Sequence, residues 1–164
     1  MGLNPDFAFR IYYGQLVFVL VNLLFCFNAF SIPLDGLTNL EGKPATLSHT
    51  KNKELVIFWA TWCPSCREHL KENFTDTNKD VAVIAISFEK EIERVRNFVQ
   101  KYKLQIPVLL DTNKTLYKSL QIDSIPHWAV YHRDSTQVGG WVLLDHGSGF
   151  NKEKIEKVLK ISIK

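Results

Sequence analysis

Cys63 and Cys66, in the stretch WATWCPSC (59–66), are the side chains of this sequence best suited to covalent chemistry. The chain holds three cysteines in all. A Cys-x-x-Cys pair can supply half of a zinc site, a structural disulfide or a redox centre. A structural zinc site draws four ligands, usually from two such pairs. Cys26 lies in a separate apolar run, and the histidines at 49, 69, 127, 132 and 146 show no ligand spacing, so no metal and no cofactor are expected. A bridge across two residues closes a minimal loop and removes little chain entropy, which disfavours a purely structural role. Redox exchange is favoured, and it makes a demand: one sulfur must be a ready thiolate.

That demand fixes where the pair has to sit. ELVIFWA (54–60) and VAVIAIS (81–87) are unbroken apolar runs of strand length, as expected for strands buried on both faces. Between them Cys63 to about Thr75 reads as a helix, with Cys66, Leu70 and Phe74 at i+4 spacing. Cys63 then stands at the first helical turn, where free N–H groups and the helix dipole stabilise a thiolate. Pro64 is tolerated there because its missing N–H would have no partner. Arg67 adds a positive charge next to Cys66.

Residues 91–102 give a second helix, with Ile92, Val95, Phe98, Val99 and Tyr102 on one face. PVLL (107–110) reads as a short strand and TLYKSL (115–120) as a short helix. WAVYH (128–132) and QVGGWVLL (137–144) flank the polar turn RDST as a hairpin, with a bulge suggested at Gly139–Gly140. Asn151 can cap a last helix and Phe150 can staple onto Ile155. The turn signals at Asp35–Gly36 and Glu41–Gly42 mark a short hairpin before the core. The class is α/β, a central mixed sheet with helices on both faces.

ELVIFWATWCPSC resembles the active-site strand and helix of the thioredoxin superfamily. With the preceding LTNLEGKPATLS it is similar to the exported TlpA/ResA-type thiol–disulfide oxidoreductases, whose domains begin with such a hairpin. SIPHW (124–128) matches the superfamily's proline step before a strand, and DTNKTLYKSLQIDSIP follows the family's aspartate turn, short helix and proline loop. The resemblance covers residues 32–164 and implies a thioredoxin-like fold with an N-terminal β-hairpin extension. It implies that Pro126 is cis against the cysteines, and that Ile125 offers its backbone to a substrate strand. Cys63 is then the attacking thiolate and Cys66 the resolving one, with Trp62, Pro64, Ile125 and Pro126 lining the substrate site. Two positions depart from the family: Ile57 stands where thioredoxins carry a buried acid, and His69 where the ResA type often has one. His127 follows the proline where Thr is favoured. Either His69 or His127 is expected to handle the proton of Cys66.

Ahead of this domain, residues 1–31 are different in kind. Leu16–Phe30 is strongly apolar, follows Arg10, and carries no charge before Asp35. Its length suits a signal peptide and falls short of the ~20 residues that span a bilayer comfortably. A cleaved signal ending at Ser31, an uncleaved membrane anchor and a buried helix of the domain all stay open. The first two expect an exported, periplasmic or extracytoplasmic domain. The net charge of +3, from 20 basic and 17 acidic residues, is too small and too evenly spread for a nucleic-acid footprint. The expected partners are protein disulfide or dithiol substrates and a membrane electron donor, with the domain monomeric and serving targets such as apocytochrome c thiols. Two rival functions are a peroxiredoxin-like thiol peroxidase, for which the Thr-x-x-Cys setting is missing, and a non-catalytic binding or metallochaperone domain.

Overall fold

The structure is a computed structural model and describes residues 36–47, 51–71, 80–136 and 140–160. Its elements are β1 (Thr38–Asn39), β2 (Lys53–Trp59), α1 (Pro64–Lys71), β3 (Val81–Ser87), α2 (Ile92–Tyr102), β4 (Val108–Leu110), α3 (Thr115–Ser119), β5 (His127–Arg133), β6 (Trp141–Ser148) and α4 (Lys152–Leu159). The expected signal or anchor with Cys26, and the helical residues expected beyond Lys71, lie outside the described residues. Among those described, no helix is long and apolar enough to cross a membrane.

One mixed sheet runs in the order β1-β4-β3-β2-β5-β6. β2, β3 and β4 are parallel neighbours, whereas β5 and β6 return antiparallel and β1 joins β4 antiparallel. The alternation along β2 divides the core. Leu55, Ile57 and Trp59 face one cluster, with Cys66 and Leu70 of α1, Val95 and Phe98 of α2, and Ile155 and Leu159 of α4. Val56 and Phe58 face the other, with Leu116 of α3 and with Leu37 and Leu47. From Leu55 to Trp59 the strand is covered on both sides and apolar throughout; Glu54, buried at its start, is the exception. Ahead of it the expected hairpin is present: Asn39 N–H donates to Lys43 O (2.9 Å) and Ala45 N–H to Leu37 O (2.9 Å).

The second half of the β-hairpin departs from the sequence reading. β6 runs from Trp141 to Ser148, past the expected end at Leu144, while residues 137–139 of the expected strand lie outside the described residues. Gly140 belongs to the turn, at φ +72, a conformation glycine adopts without steric cost. The irregularity falls at Leu144, because Val130 pairs with Asp145 and Tyr131 with Leu143. β6 is an edge strand, so its DHGS end needs only one buried face, and its polarity conceals it as a strand.

This topology gathers three chain connections at one end of the sheet. β2 and β3 are in parallel register with Trp59 opposite Ser87, so their carboxyl ends finish side by side. Antiparallel β5 places His127 opposite Phe58, bringing the Ile125–Pro126 step to the same end. Open α/β sheets build their sites at such carboxyl edges.

Candidate active site

Cys63 closes the turn that leaves β2, its N–H donating to Ala60 O (3.1 Å). Pro64 is the first residue of α1, as its missing donor requires. The two cysteines form a disulfide with Cα atoms 5.3 Å apart. Cys66 N–H donates to Cys63 Sγ at 3.2 Å, so the outer sulfur takes one of the unpaired amides of the helix start. Both residues are buried, Cys63 at 4% exposure and Cys66 completely. Behind Cys66 the cluster is apolar, with Trp59, Ile57, Leu70 and Trp128 in it. Gly147 lets the backbone of β6 lie flat on Trp128, since a Cβ there would meet the indole at 3.2 Å. Arg67 does not turn to the cysteines; its guanidinium lies over the Tyr102 ring, 5.7 Å from the centroid.

The Ile125–Pro126 peptide is cis. Ile125 O approaches Cys63 Sγ to 3.8 Å, and Gly149 N–H donates to Pro126 O (2.8 Å), which ties the loop to the end of β6. Trp62, beside the disulfide, is 57% exposed. Cys63, Cys66, Ile125 and Pro126 are thus brought together, with Trp62 and Pro64 on their outer side.

The two histidines separate. His69 lies one turn past Cys66 on α1, and its ring stacks on Phe150 at 4.8 Å. His127 is buried, at 4% exposure, as the first residue of β5. It shares the sheet face of Ala129, opposite the face covered by α1. Its Nε2 shares a hydrogen bond with His146 Nδ1 (3.0 Å), and its Nδ1 lies 3.4 Å from Ser148 Oγ. Burial, then the neighbouring His146, push its pKa down to about 4, against a smaller upward pull from Asp123.

Sequence reasoning missed Glu89. This carboxylate, 9% exposed, accepts Thr61 N–H on Oε2 and Thr61 Oγ1 on Oε1, both at 2.7 Å, and Ser87 Oγ at 3.3 Å. Thr61 stands two residues past the end of β2 and Glu89 two past the end of β3, so the parallel register alone makes them meet. No spacing within the sequence points to that pair. The only signal is a Glu in the first loop after a strand that neighbours the cysteine strand.

This geometry has relatives. The family model described as Redoxin matches residues 18–135. A thiol-disulfide oxidoreductase ResA of Bacillus thuringiensis subsp. konkukian is 30% identical over 129 residues, covering 76% of this chain and 72% of that protein. Among solved structures, StoA from Bacillus subtilis superposes with a TM-score of 0.57 at 20% identity, over 76% of this chain and 96% of that one. A thioredoxin-like protein from Aeropyrum pernix reaches a TM-score of 0.61 at 20% identity, over 92% and 98%. These two likenesses are of fold.

Proposed function

Since this chain belongs to the redoxin family, as a thiol–disulfide oxidoreductase of the ResA type, we propose that it reduces disulfides of exported polypeptides through Cys63 and Cys66. The observation that carries this reading is the setting of Cys63 Sγ, which receives an amide of the helix start and faces the Ile125 carbonyl. On reduction the same amide faces a thiolate, and an N–H bonded to the charged form favours that form.

The exchange runs in two steps. The Cys63 thiolate attacks one sulfur of a substrate disulfide; a mixed disulfide forms and the other substrate sulfur leaves as thiolate. Cys66, losing its proton, then attacks Cys63 Sγ, and the second substrate sulfur leaves with the pair of electrons. The protein ends oxidised, as in the structure, and a membrane electron donor restores the dithiol. Cys63, whose sulfur receives the helix-start amide, is the attacking sulfur, and Cys66 is the resolving one. His69, one turn beyond Cys66, is the residue we assign to its proton; His127 faces the other side of the sheet and is occupied with His146. Trp62 and Pro64 give the substrate its apolar contact, and the Ile125 backbone its strand partner. Residues 1–31 export this domain, as a cleaved signal or as an anchor. Cytochrome c maturation, with apocytochrome thiols as targets, is the pathway we assign.

Thr61 argues against the peroxidase alternative. Its hydroxyl is bonded to Glu89 and so is not free to serve Cys63. The test of direction is a redox titration in glutathione buffers with insulin turnover beside it. A reductase has a potential nearer the ~−270 mV of thioredoxin than the ~−120 mV of a strong oxidant. A value near the latter overturns the direction, and no insulin turnover overturns the reaction.

A further inference from the structure

Trp62 and Leu144 are the large apolar side chains that stand exposed among the described residues, and Trp62 adjoins the disulfide. It does not stand alone. Its ring meets Phe88 edge-on, with centroids 6.3 Å apart, and Phe88 meets Tyr117 at 4.7 Å. Lys114 Nζ closes the row, 4.8 Å from the Phe88 centroid and 5.8 Å from that of Tyr117. Three chain segments therefore build one aromatic strip: the turn after β2, the exit of β3, and the start of α3.

Two devices hold the strip in place. The Glu89–Thr61 bonds pin the turn that carries Trp62 to the loop that carries Phe88. At the far end, buried Asp111 accepts the N–H groups of Thr115 and Tyr117, both at 2.8 Å, which fixes the first turn of α3. Lys114 precedes that turn at φ +57, a left-handed conformation where glycine would be unstrained. Its ammonium lies over the two rings.

We propose that the strip Trp62–Phe88–Tyr117, ended by Lys114, extends the substrate surface and reads the residues flanking the substrate's cysteine. An apolar or aromatic side chain next to that cysteine lies on Trp62 and Phe88. A carboxylate about three residues from the cysteine, at ~3.3 Å per extended residue, meets Lys114. The proposal rests on Cys63 being the attacking sulfur. Its occupant is a polypeptide, because the strip continues directly from the exchange centre and ends in one cation. A lipid surface or a nucleic acid calls for a broad basic patch instead.

The test uses the reduced full chain and symmetric peptide disulfides. Each peptide has Phe beside the cysteine and either Glu or Lys three residues away, on the N-terminal side in one set and the C-terminal side in another. The readout is the ratio of second-order reduction rates, Glu peptide over Lys peptide, at low salt. In one of the two sets the native protein favours the Glu peptide by about threefold, the effect of one exposed charge pair. Lys114→Glu inverts the ratio, and Lys114→Gly, which also relieves the backbone, brings it to about one. Trp62→Ala removes a preference of roughly tenfold for Phe over Gly beside the cysteine. Ratios that are the same in the native protein and Lys114→Glu, in both sets, overturn the strip alone. Failure of the native protein to reduce even the neutral disulfide of mercaptoethanol overturns the redox reading and the strip with it.

Discussion

Glu89 holds Thr61 by both its backbone N–H and its hydroxyl, each at 2.7 Å, and so fixes the turn that presents Cys63. This buried side chain ties the exits of β2 and β3 together. Glu89→Ala leaves the Thr61 amide without its acceptor, which costs about 2–3 kcal/mol for bonds to a charged group. Glu89→Gln keeps one acceptor oxygen and loses less. Urea unfolding of both variants measures this order, and a Glu89→Ala loss under about 0.5 kcal/mol contradicts it.

Cys63 is expected to titrate well below a free thiol. The Cys66 amide lies 3.2 Å from its sulfur at the start of α1. The pH dependence of iodoacetamide alkylation in the reduced protein has its midpoint below about 7.5, against about 8.5 for an unperturbed cysteine. Alkylation maps to Cys63 before Cys66. A midpoint at the ordinary value, or equal labelling of both, counts against the assigned roles.

His127 makes stability fall on mild acidification. Its folded pKa is lowered from 6.5 to about 4, so the unfolded chain binds more protons between those values. Its stabilising contribution is complete above pH 6.5 and is lost as pH falls toward about 4. The loss reaches up to about 3 kcal/mol. Unfolding curves at pH 7 and at pH 4.5 measure it, and His127→Leu flattens the difference. An equal drop in the variant assigns the effect elsewhere.

The same depression separates the two histidines in catalysis. A ring already neutral at the working pH contributes no inflection there, so His127→Leu leaves the pH profile of the resolving step unchanged in form. His69→Ala slows that step, on the order of a hundredfold for a lost general acid–base group. Rapid-quench measurement of mixed-disulfide decay tests both. A profile changed by His127→Leu and indifferent to His69→Ala reverses the assignment.

What the sequence revealed follows from what local pattern encodes. β2 and β3 were legible because Leu55–Trp59 and Val81–Ile86 are apolar without a break, and Cys63 because proline and helix periodicity mark the helix start. The cis Ile125–Pro126 step was legible only through resemblance to a family. The end of β6 was misplaced because an edge strand tolerates Asp145, His146 and Ser148. Glu89 with Thr61, and His127 with His146, were out of reach for a different reason. Each pair is made by strand register, between residues whose separation in sequence carries no periodic signal.

The central claim is that Cys63 attacks and Cys66 resolves. Its most direct measurement is a non-reducing gel of the reduced Cys66→Ser full chain after incubation with insulin, with Cys63→Ser in parallel. The mechanism predicts a covalent adduct through Cys63 that dithiothreitol releases, and none in Cys63→Ser. No adduct with Cys66→Ser, or an equal one with Cys63→Ser, contradicts it.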